Sequence, residues 1–231
     1  MRAYSVARSH VGLVRKINED RVFDWPDGEV WAVVDGMGGH RGGDLAAQSA
    51  VDRLRKLTVS IEPITPAAVT TALDQANIEI ADRNASLGEE AGATAVVLSR
   101  HGATATIAWV GDSRCYRIRN GDIELLTRDH SVVQELIDAG LLTSESASHH
   151  PHSNVITRAL GVERHCTIDV REVELIDGDI FLLCSDGLSR SLRDTDLIED
   201  DLEASADRLL KNALYRDGGD NISLIVVRFC N

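Results

Sequence analysis

The sequence predicts an α+β domain in which largely antiparallel β-sheets are combined with helices. Short strand-like segments follow one another closely in the middle of the chain, and tight turns such as Asn120-Gly121 separate them. Longer segments with apolar residues at helical spacing lie on either side of this run of strands. Hairpin-connected strands with helices outside them are typical of the α+β class.

The first elements are a strand at 6–9 and a loop at 12–20 that is rich in hydrogen-bond donors and acceptors. A hairpin turn at Asp27-Gly28 then leads into the apolar run 30–34, which we expect to be a buried strand. Two helices follow, one from Asp44 to Leu57 and one that begins at Thr65-Pro66, because Pro is favoured in the first helical turn.

The second half of the chain is predicted to alternate strands with short helices. Strands are expected at 94–99, 104–110, 114–119, 122–126, 167–175, 180–184 and 222–227, and helices at 132–139 and, as one or two elements, within 194–214. The segment 142–160 has no regular pattern.

Composition places the chain among ordinary globular proteins and excludes several classes of function. With 231 residues, of which 43% are hydrophobic and 26% charged, we expect a single domain spanning 1–231. No apolar run approaches the ~20 residues of a membrane span, and no signal peptide is apparent. The 4 cysteines show no CxxC spacing, which favours a reducing cytoplasm without disulfides. The net charge of −13 argues against nucleic acid or an anionic membrane as a partner.

Aspartates stand at the ends of apolar runs in separate parts of the sequence. Asp35 follows the run 30–34, Asp186 follows 180–184, and Asp220 precedes 222–227. An aspartate that adjoins a buried strand needs a partner for its charge. Carboxylates delivered by different strands are typical of a site for hard cations such as Mg²⁺ or Mn²⁺, which prefer oxygen ligands.

The order of the polar motifs is more specific than any one of them. The motifs are Arg15-x-x-Asn18-Glu19-Asp20, Asp35-Gly36-Met37-Gly38-Gly39, Gly92-Ala93-Thr94, Gly111-Asp112-Ser113-Arg114, Ser185-Asp186-Gly187 and Gly219-Asp220-Asn221. In this order they resemble the metal-dependent (type 2C, PPM) protein serine/threonine phosphatases, especially the bacterial branch. The resemblance covers nearly the whole chain and implies a four-layer αββα sandwich, with two largely antiparallel sheets flanked by helices.

The resemblance also implies roles for individual residues. Asp35 would bridge two Mn²⁺ or Mg²⁺ ions, the Gly36 carbonyl would bind one of them, and Asp186 and Asp220 would complete the protein ligands. Glu19 and Asp20 would hold metal-bound waters, and Arg15 would bind the substrate phosphate. Asp112, together with Asp186, matches positions that bind a third and weaker ion in bacterial members.

Such a set of residues suits the hydrolysis of a phosphate monoester. Two cations about 4 Å apart lower the pKa of a bridging water and offset the charge of the phosphoryl oxygens. A guanidinium such as Arg15 can bind two phosphate oxygens at once, which a lysine cannot. The expected reaction is a single-step displacement on phosphoserine or phosphothreonine, with no phosphoenzyme intermediate.

The sequence leaves alternatives open for two features: the group that donates a proton to the leaving group, and the flap. Eukaryotic members have a histidine at the position of Met37, so that role does not transfer. His40 is a candidate general acid, but it could equally be an ordinary loop histidine, and a metal-bound water could donate the proton instead. The resemblance places a substrate-contacting flap at 142–160. Its histidines His149, His150 and His152 invite a zinc interpretation, but neighbouring histidines rarely converge on one ion, so we expect them to be solvated.

Competing functions follow from the same residues. The favoured hypothesis is an active, cytoplasmic and monomeric phosphatase that acts on phosphoproteins and opposes a cognate serine/threonine kinase. The chain ends directly after its last predicted strand, so we expect a stand-alone catalytic domain or a piece of a longer protein that contains one. A catalytically silent family member that serves as a binding or signalling module is the alternative. A calcium-binding structural domain is disfavoured, because the sequence contains no D-x-D-x-D-G loop.

Overall fold

The computed structural model describes residues 1–38, 42–59, 64–147, 150–193, 195–196, 198–199 and 201–231. Within these ranges the strands are β1 (Arg2–His10), β2 (Arg21–Trp25), β3 (Val30–Val34), β4 (Gly36–Met37), β5 (Gly92–Ala93), β6 (Ala95–His101), β7 (Thr104–Val110), β8 (Arg114–Arg119), β9 (Asp122–Leu125), β10 (Asp169–Glu174), β11 (Ile180–Cys184) and β12 (Ile222–Cys230). The helices are α1 (Gly42–Leu57), α2 (Pro66–Leu87), α3 (Val132–Asp138), α4 (Ser144–Ala147), α5 (Asp186–Ser189) and α6 (Leu202–Arg216).

Two antiparallel sheets of five strands each form the centre of the molecule. Their strand orders are β1-β12-β11-β8-β9 and β10-β7-β6-β3-β2, and a two-stranded pair, β4-β5, extends beyond the second sheet. The side chains between the sheets form an apolar core that includes Trp31, Phe181 and Phe229. The inner faces of the two sheets therefore pack on each other.

Helices cover the outer face of each sheet. Leu54 of α1 and Leu73 and Ile80 of α2 are fully buried in a core that these helices share with the second sheet. Leu209 of α6 belongs to a separate core with Val226 and other residues of the first sheet. These layers confirm the expected four-layer αββα sandwich.

Strand β12 shows why the core strands lack the clean alternation of a half-exposed sheet. Successive side chains of a strand point to opposite faces. Ile225 and Val227 lie in the core between the sheets, whereas Leu224 and Val226 pack toward α6. Because both faces are buried, the strand is a continuous apolar run.

The structure corrects the predicted boundaries of several elements. Strand β1 is longer than predicted because it pairs with β12 along its whole length, from Arg2 opposite Cys230 to His10 opposite Ile222. Helix α6 begins at Leu202, behind an N-cap at Asp201, and the residues described between 195 and 199 are not helical. There the Asp196 carboxylate accepts a hydrogen bond from the Arg193 backbone N–H at 2.9 Å, a local contact that competes with helix formation.

Two short helices were not predicted from the sequence. Helix α5 starts at Asp186 itself, and α4 lies inside the segment expected to be irregular. Among the described helices, none has the combination of length and apolar character that crossing a bilayer requires.

Candidate metal and phosphate site

Strand pairing in the first sheet brings two distant aspartates together. Strand β11 ends at Cys184, which lies opposite Leu224 near the start of β12. Asp186 comes just after the end of β11, and Asp220 comes just before the start of β12. Because the strands are antiparallel neighbours, both carboxylates lie at the same edge of the sheet.

Strand pairing in the second sheet brings another two aspartates, Asp20 and Asp35, together. Strand β3 ends at Val34, opposite Arg21 at the start of β2. Asp35 directly follows β3, and Asp20 directly precedes β2. The backbone N–H of Thr94 donates to the Asp35 carbonyl at 2.8 Å, which fixes the chain where it leaves the sheet.

The two sheets end at one cleft, which contains the expected site residues. Its cavity has a volume of about 280 Å³. It is lined by Arg15, Glu19, Asp35, Gly36, Met37, Gly38, Thr94, Asp112, Asn154, Ile156, Asp186, Arg190, Asp220 and Asn221. Asp112 enters from the turn between β7 and β8, directly after Gly111. The structure therefore brings together every described residue that the sequence assigned to the site, with Asp20 buried behind the cleft wall.

Like charges accumulate in this cleft. Burial raises the pKa of Asp35 well above its ordinary value, and the carboxylates of Asp20, Asp186, Asp112 and Asp220 raise it further. Each of these groups makes ionisation of its neighbours more costly. The arrangement is electrostatically unfavourable for the protein alone and is suited to cations.

Two of the neighbouring carboxyl groups, those of Asp20 and Asp112, also have raised pKa values, again because of burial and nearby negative charge. Burial raises the pKa of Asp20 to about 7, although the hydroxyl groups of Ser223 and Ser185 act in the opposite direction. The Ser185 hydroxyl donates to Asp20 at 2.8 Å. Burial and the charge of Asp186 likewise raise the pKa of Asp112 to about 7.

The oxygens in and behind the cleft fit divalent cations. Within the described part of the chain, one buried carboxylate oxygen each of Glu19, Asp20 and Asp186 has no hydrogen-bond partner. Buried oxygens without partners are costly unless a cation or water binds them. An all-oxygen donor set is what Mg²⁺ and Mn²⁺ prefer, since both keep several waters as ligands.

Two arginines contact acidic groups of the cleft. Arg15 lies 2.8 Å from Asp220, and Arg190 is paired with Asp186. Among the described residues, no three carboxylate, imidazole or thiolate groups are grouped closely enough to hold a metal ion as they stand. Two of the cleft's carboxylates are therefore paired with a guanidinium.

Asn221 holds the loop that carries Arg15, and sequence reasoning assigned it no role of its own. Its side chain donates to the carbonyls of Val11 at 2.9 Å and Ile17 at 3.0 Å, and it accepts from the Glu19 N–H at 2.8 Å. This one side chain therefore ties both ends of the loop to the start of β12. Its position next to Asp220 in the Gly219-Asp220-Asn221 motif was the only signal for it in the sequence.

Two glycines are required where backbone segments meet at the cleft. A Cβ on Gly36 would lie 2.2 Å from the Gly43 carbonyl oxygen, so only glycine lets the chain after Asp35 pass the start of α1. Gly12 has a φ of +83°, and its Cβ would lie 2.2 Å from the Asp220 carbonyl oxygen. Both contacts are closer than any side chain permits.

His130 links the Asp112 turn to the end of the predicted flap. Its Nδ1 accepts from the Gly111 N–H at 3.0 Å, and its carbonyl accepts from the Thr157 N–H at 2.8 Å. Burial and the neighbouring Arg158 lower the pKa of its imidazole. The sequence analysis missed this residue, because its partners are distant along the chain.

The structure tests only some of the predictions about the histidines and the flap. His40 and His149 lie outside the described residues, so the general-acid role of His40 stays a prediction. His152 is exposed, and its backbone N–H donates to Nδ1 of His150 at 3.2 Å. No described residues form a zinc site with these two histidines. Asn154 and Ile156 line the cleft, so the segment 142–160 does border it.

A four-layer sandwich whose two sheets end at an acidic cleft, lined by oxygen atoms suited to divalent cations, is typical of the metal-dependent phosphatases. Comparison with known proteins identifies the family. The family model described as protein phosphatase 2C matches residues 10–217, and the chain belongs to this family.

Relatives named as serine/threonine phosphatases match 95% of this chain. The serine/threonine phosphatase stp of Listeria monocytogenes is 34% identical over 235 residues, which cover 95% of this chain and 93% of that protein. The serine/threonine protein phosphatase PstP of Mycobacterium tuberculosis is 37% identical over 230 residues, but the match covers only 44% of PstP.

Solved structures share the fold, and one of them contains manganese. PppA, described as a key regulatory component of T6SS in Pseudomonas aeruginosa, is 39% identical with a TM-score of 0.90, and the match covers 99% of each chain. The catalytic domain of PstP in complex with 2 manganese ions is 32% identical with a TM-score of 0.91, covering 100% of this chain and 99% of that one. The chain is thus a protein serine/threonine phosphatase of the protein phosphatase 2C family.

Proposed function

We propose that Asp35, Asp186 and Asp220, together with the carbonyl of Gly36, hold the two Mn²⁺ or Mg²⁺ ions of this phosphatase. The observation that carries the proposal is the convergence of mutually repelling carboxylates from both sheets on one cleft. Burial and the carboxylates of Asp20, Asp186, Asp112 and Asp220 all raise the pKa of Asp35, as expected for a group at the centre of a cation site.

Glu19 and Asp20 act behind these ligands, through water. Each has a buried carboxylate oxygen without a partner among the described residues. Asp20 is only 2% exposed and is anchored by the hydroxyl of Ser185, directly before Asp186. Both groups would accept hydrogen bonds from waters on the ions and orient those waters.

Arg15 binds the phosphate of the substrate. Its side chain is 52% exposed and stands at the rim of the cleft, next to Asp220. A guanidinium can donate two parallel hydrogen bonds to phosphate oxygens, which fixes the phosphorus in the cleft. In a protein of net charge −13, this local positive group also offsets the repulsion of an anionic substrate.

The ions, when bound, supply an acidified water and offset the negative charge of the phosphoryl group. The residues of the chain position the reactants: Arg15 orients the phosphate, and Glu19 and Asp20 orient water. Asp112 would bind a third and weaker ion together with Asp186. The substrates are phosphoserine and phosphothreonine in proteins, the partner is a cognate serine/threonine kinase, and we propose that the protein acts as a cytoplasmic monomer.

A metal titration with two readouts tests the proposal. The purified protein is stripped with a chelator, and Mn²⁺ binding is followed by equilibrium dialysis while hydrolysis of p-nitrophenyl phosphate and of a phosphothreonine peptide is measured. We expect two tightly bound ions and activity that rises with their binding. Two bound ions without hydrolysis of either substrate would instead support the silent binding module.

Asp186 and Asp179 lie at opposite ends of β11, and they provide a variant of the proposed site and a matched control. Asp35→Asn and Asp186→Asn should reduce turnover by at least ~10²-fold, equivalent to ~3 kcal/mol of lost transition-state stabilisation. Asp179 lies before β11, is 1% exposed and is paired with Arg119. Asp179→Asn should lower stability but leave metal binding and turnover per folded molecule unchanged. Equal losses of activity in all three variants would contradict the assigned site.

A further inference from the structure

Arg190 is placed by its backbone directly beside a proposed metal ligand. It ends the short helix α5, and its N–H donates to the carbonyl of Asp186 at 3.0 Å. One helical turn separates the two residues, so their side chains lie on the same face. The guanidinium of Arg190 contacts the Asp186 carboxylate.

The same guanidinium also acts on Asp112. A second cavity, of about 410 Å³, adjoins the cleft, and Asp112, Asp186 and Arg190 line both of them. Burial raises the pKa of Asp112, and the charge of Arg190 opposes this rise. Arg190 therefore stands at the junction of the two cavities, within electrostatic reach of both carboxylates.

These two carboxylates are the pair to which the third ion was assigned, so the inference rests on the proposed function. We propose that Arg190 is a built-in cation for the Asp112–Asp186 pair and that it competes with the third metal ion for these two carboxylates. It thereby acts as a positioning residue for the site.

Physical reasons favour a tethered guanidinium over a weakly bound ion. Arg190 is covalently attached one turn from Asp186, so its effective concentration at the carboxylates is on the order of millimolar or higher. A guanidinium keeps its charge at every physiological pH. An ion that binds only weakly must displace this charge before it can use both carboxylates.

Mn²⁺ binding, measured by titration calorimetry on the full chain, tests the competition directly. The wild type should bind two ions, with a third ion only at high concentration. Arg190→Ala should bind the third ion at least ~10-fold more tightly, because an attractive charge no longer has to be displaced. Adding Asp112→Asn to Arg190→Ala should abolish this gain, and Arg190→Lys should largely preserve the wild-type isotherm.

Arg193→Ala is the control for net charge. Arg193 is an exposed arginine three residues further on, and it lines neither cavity. It should leave the affinity for the third ion unchanged, and thermal melting should show that both arginine variants fold.

The outcomes separate the inference from the function on which it rests. If the two core ions bind normally and Arg190→Ala leaves the third affinity unchanged, the competition is refuted while the proposed function stands. A rise in KM for the phosphopeptide without any change in the binding isotherm would also refute it, since Arg190 would then contact substrate. A wild type that binds no pair of ions would overturn both proposals.

Discussion

Asn221 offers a sharp test of how the structure positions Arg15. Its side chain is 6% exposed and makes hydrogen bonds to the backbone of Val11, Ile17 and Glu19. Asn221→Ala removes all of them and leaves two carbonyls and one N–H of the loop without this partner. We expect the loop at 11–19 to loosen, and with it the guanidinium that binds phosphate.

The expected loss of stability follows from the number of hydrogen bonds that the substitution removes. A hydrogen bond of this kind contributes about 1 kcal/mol net, so the loss of all three should cost about 3 kcal/mol of unfolding free energy. For a domain of this size each kcal/mol shifts Tm by ~2–4 °C, so the expected fall is ~6–12 °C. KM for a phosphothreonine peptide should rise by roughly 10-fold, equivalent to ~1.4 kcal/mol of lost phosphate binding.

Asn77 is a matched control for the same substitution. It lies in α2, is 2% exposed, accepts from the Gly161 N–H at 2.7 Å and donates to the carbonyls of Glu163 and Arg164 at 3.0 and 3.1 Å. None of these residues lines the cleft. Asn77→Ala should therefore cost a similar amount of stability without a change in KM.

Differential scanning calorimetry and steady-state kinetics below both melting temperatures separate the two effects. The proposed positioning of Arg15 by Asn221 is refuted if Asn221→Ala and Asn77→Ala lose similar stability and neither alters KM. It is also refuted if both raise KM equally, because the kinetic change would then follow from general destabilisation.

Other predictions concern the acidic groups. Mn²⁺ should raise Tm of the wild type progressively, by mass action and by relief of charge repulsion, but should hardly raise that of Asp35→Asn; equal shifts would argue that the ions bind elsewhere. Asp112→Ala should keep the two core ions in calorimetry yet slow turnover, and unchanged kinetics at every Mn²⁺ concentration would show that no third ion matters. Burial opposes ionisation of Asp196, but Arg216 and other hydrogen-bond donors outweigh it, so the pKa of Asp196 is lowered. Its stabilisation is present above the unfolded pKa and is lost as pH falls through the folded one, so urea titrations should show Asp196→Asn destabilised at pH 7 and converging with the wild type in acid; a constant difference would contradict this.

The strands and helices that form the core were readable from the sequence, because their apolar spacing reflects burial directly. Strand β8 (Arg114–Arg119) has the predicted bounds, and α2 begins at Pro66, as the Thr65-Pro66 pair predicted. The short helix α5 was not readable, because its few residues carry no periodic signal and it is held between β11 and α6. The sequence left open whether 194–214 holds one helix or two; α6 begins only at Leu202, and a local contact of Asp196 competes with helix formation ahead of it.

Asp35, Asp186 and Asp220 adjoin apolar runs in the sequence, and Arg15, Glu19, Asp20 and Asp112 were added through the family resemblance. These residues were therefore predictable as a set. The contacts that support them were not. Ser185 donates to Asp20 across 165 positions of the chain, and Asn221 reaches Ile17 across 204. Nothing in the local sequence of either residue specifies such a partner, because the pairing depends on which strand ends meet.

The amino-acid sequence by itself determined the fold class and placed Asp35, Asp186 and Asp220 beside apolar runs, because hydrophobic spacing encodes burial. It indicated the role of Arg15 toward phosphate only through the resemblance of its motifs to the phosphatase family. Only the tertiary structure decided that the two sheets end at a common cleft and that Asn221 anchors the loop of Arg15. It also decided that Arg190 lies against Asp186. These relations arise from strand register and sheet packing, which join residues that are far apart in the chain.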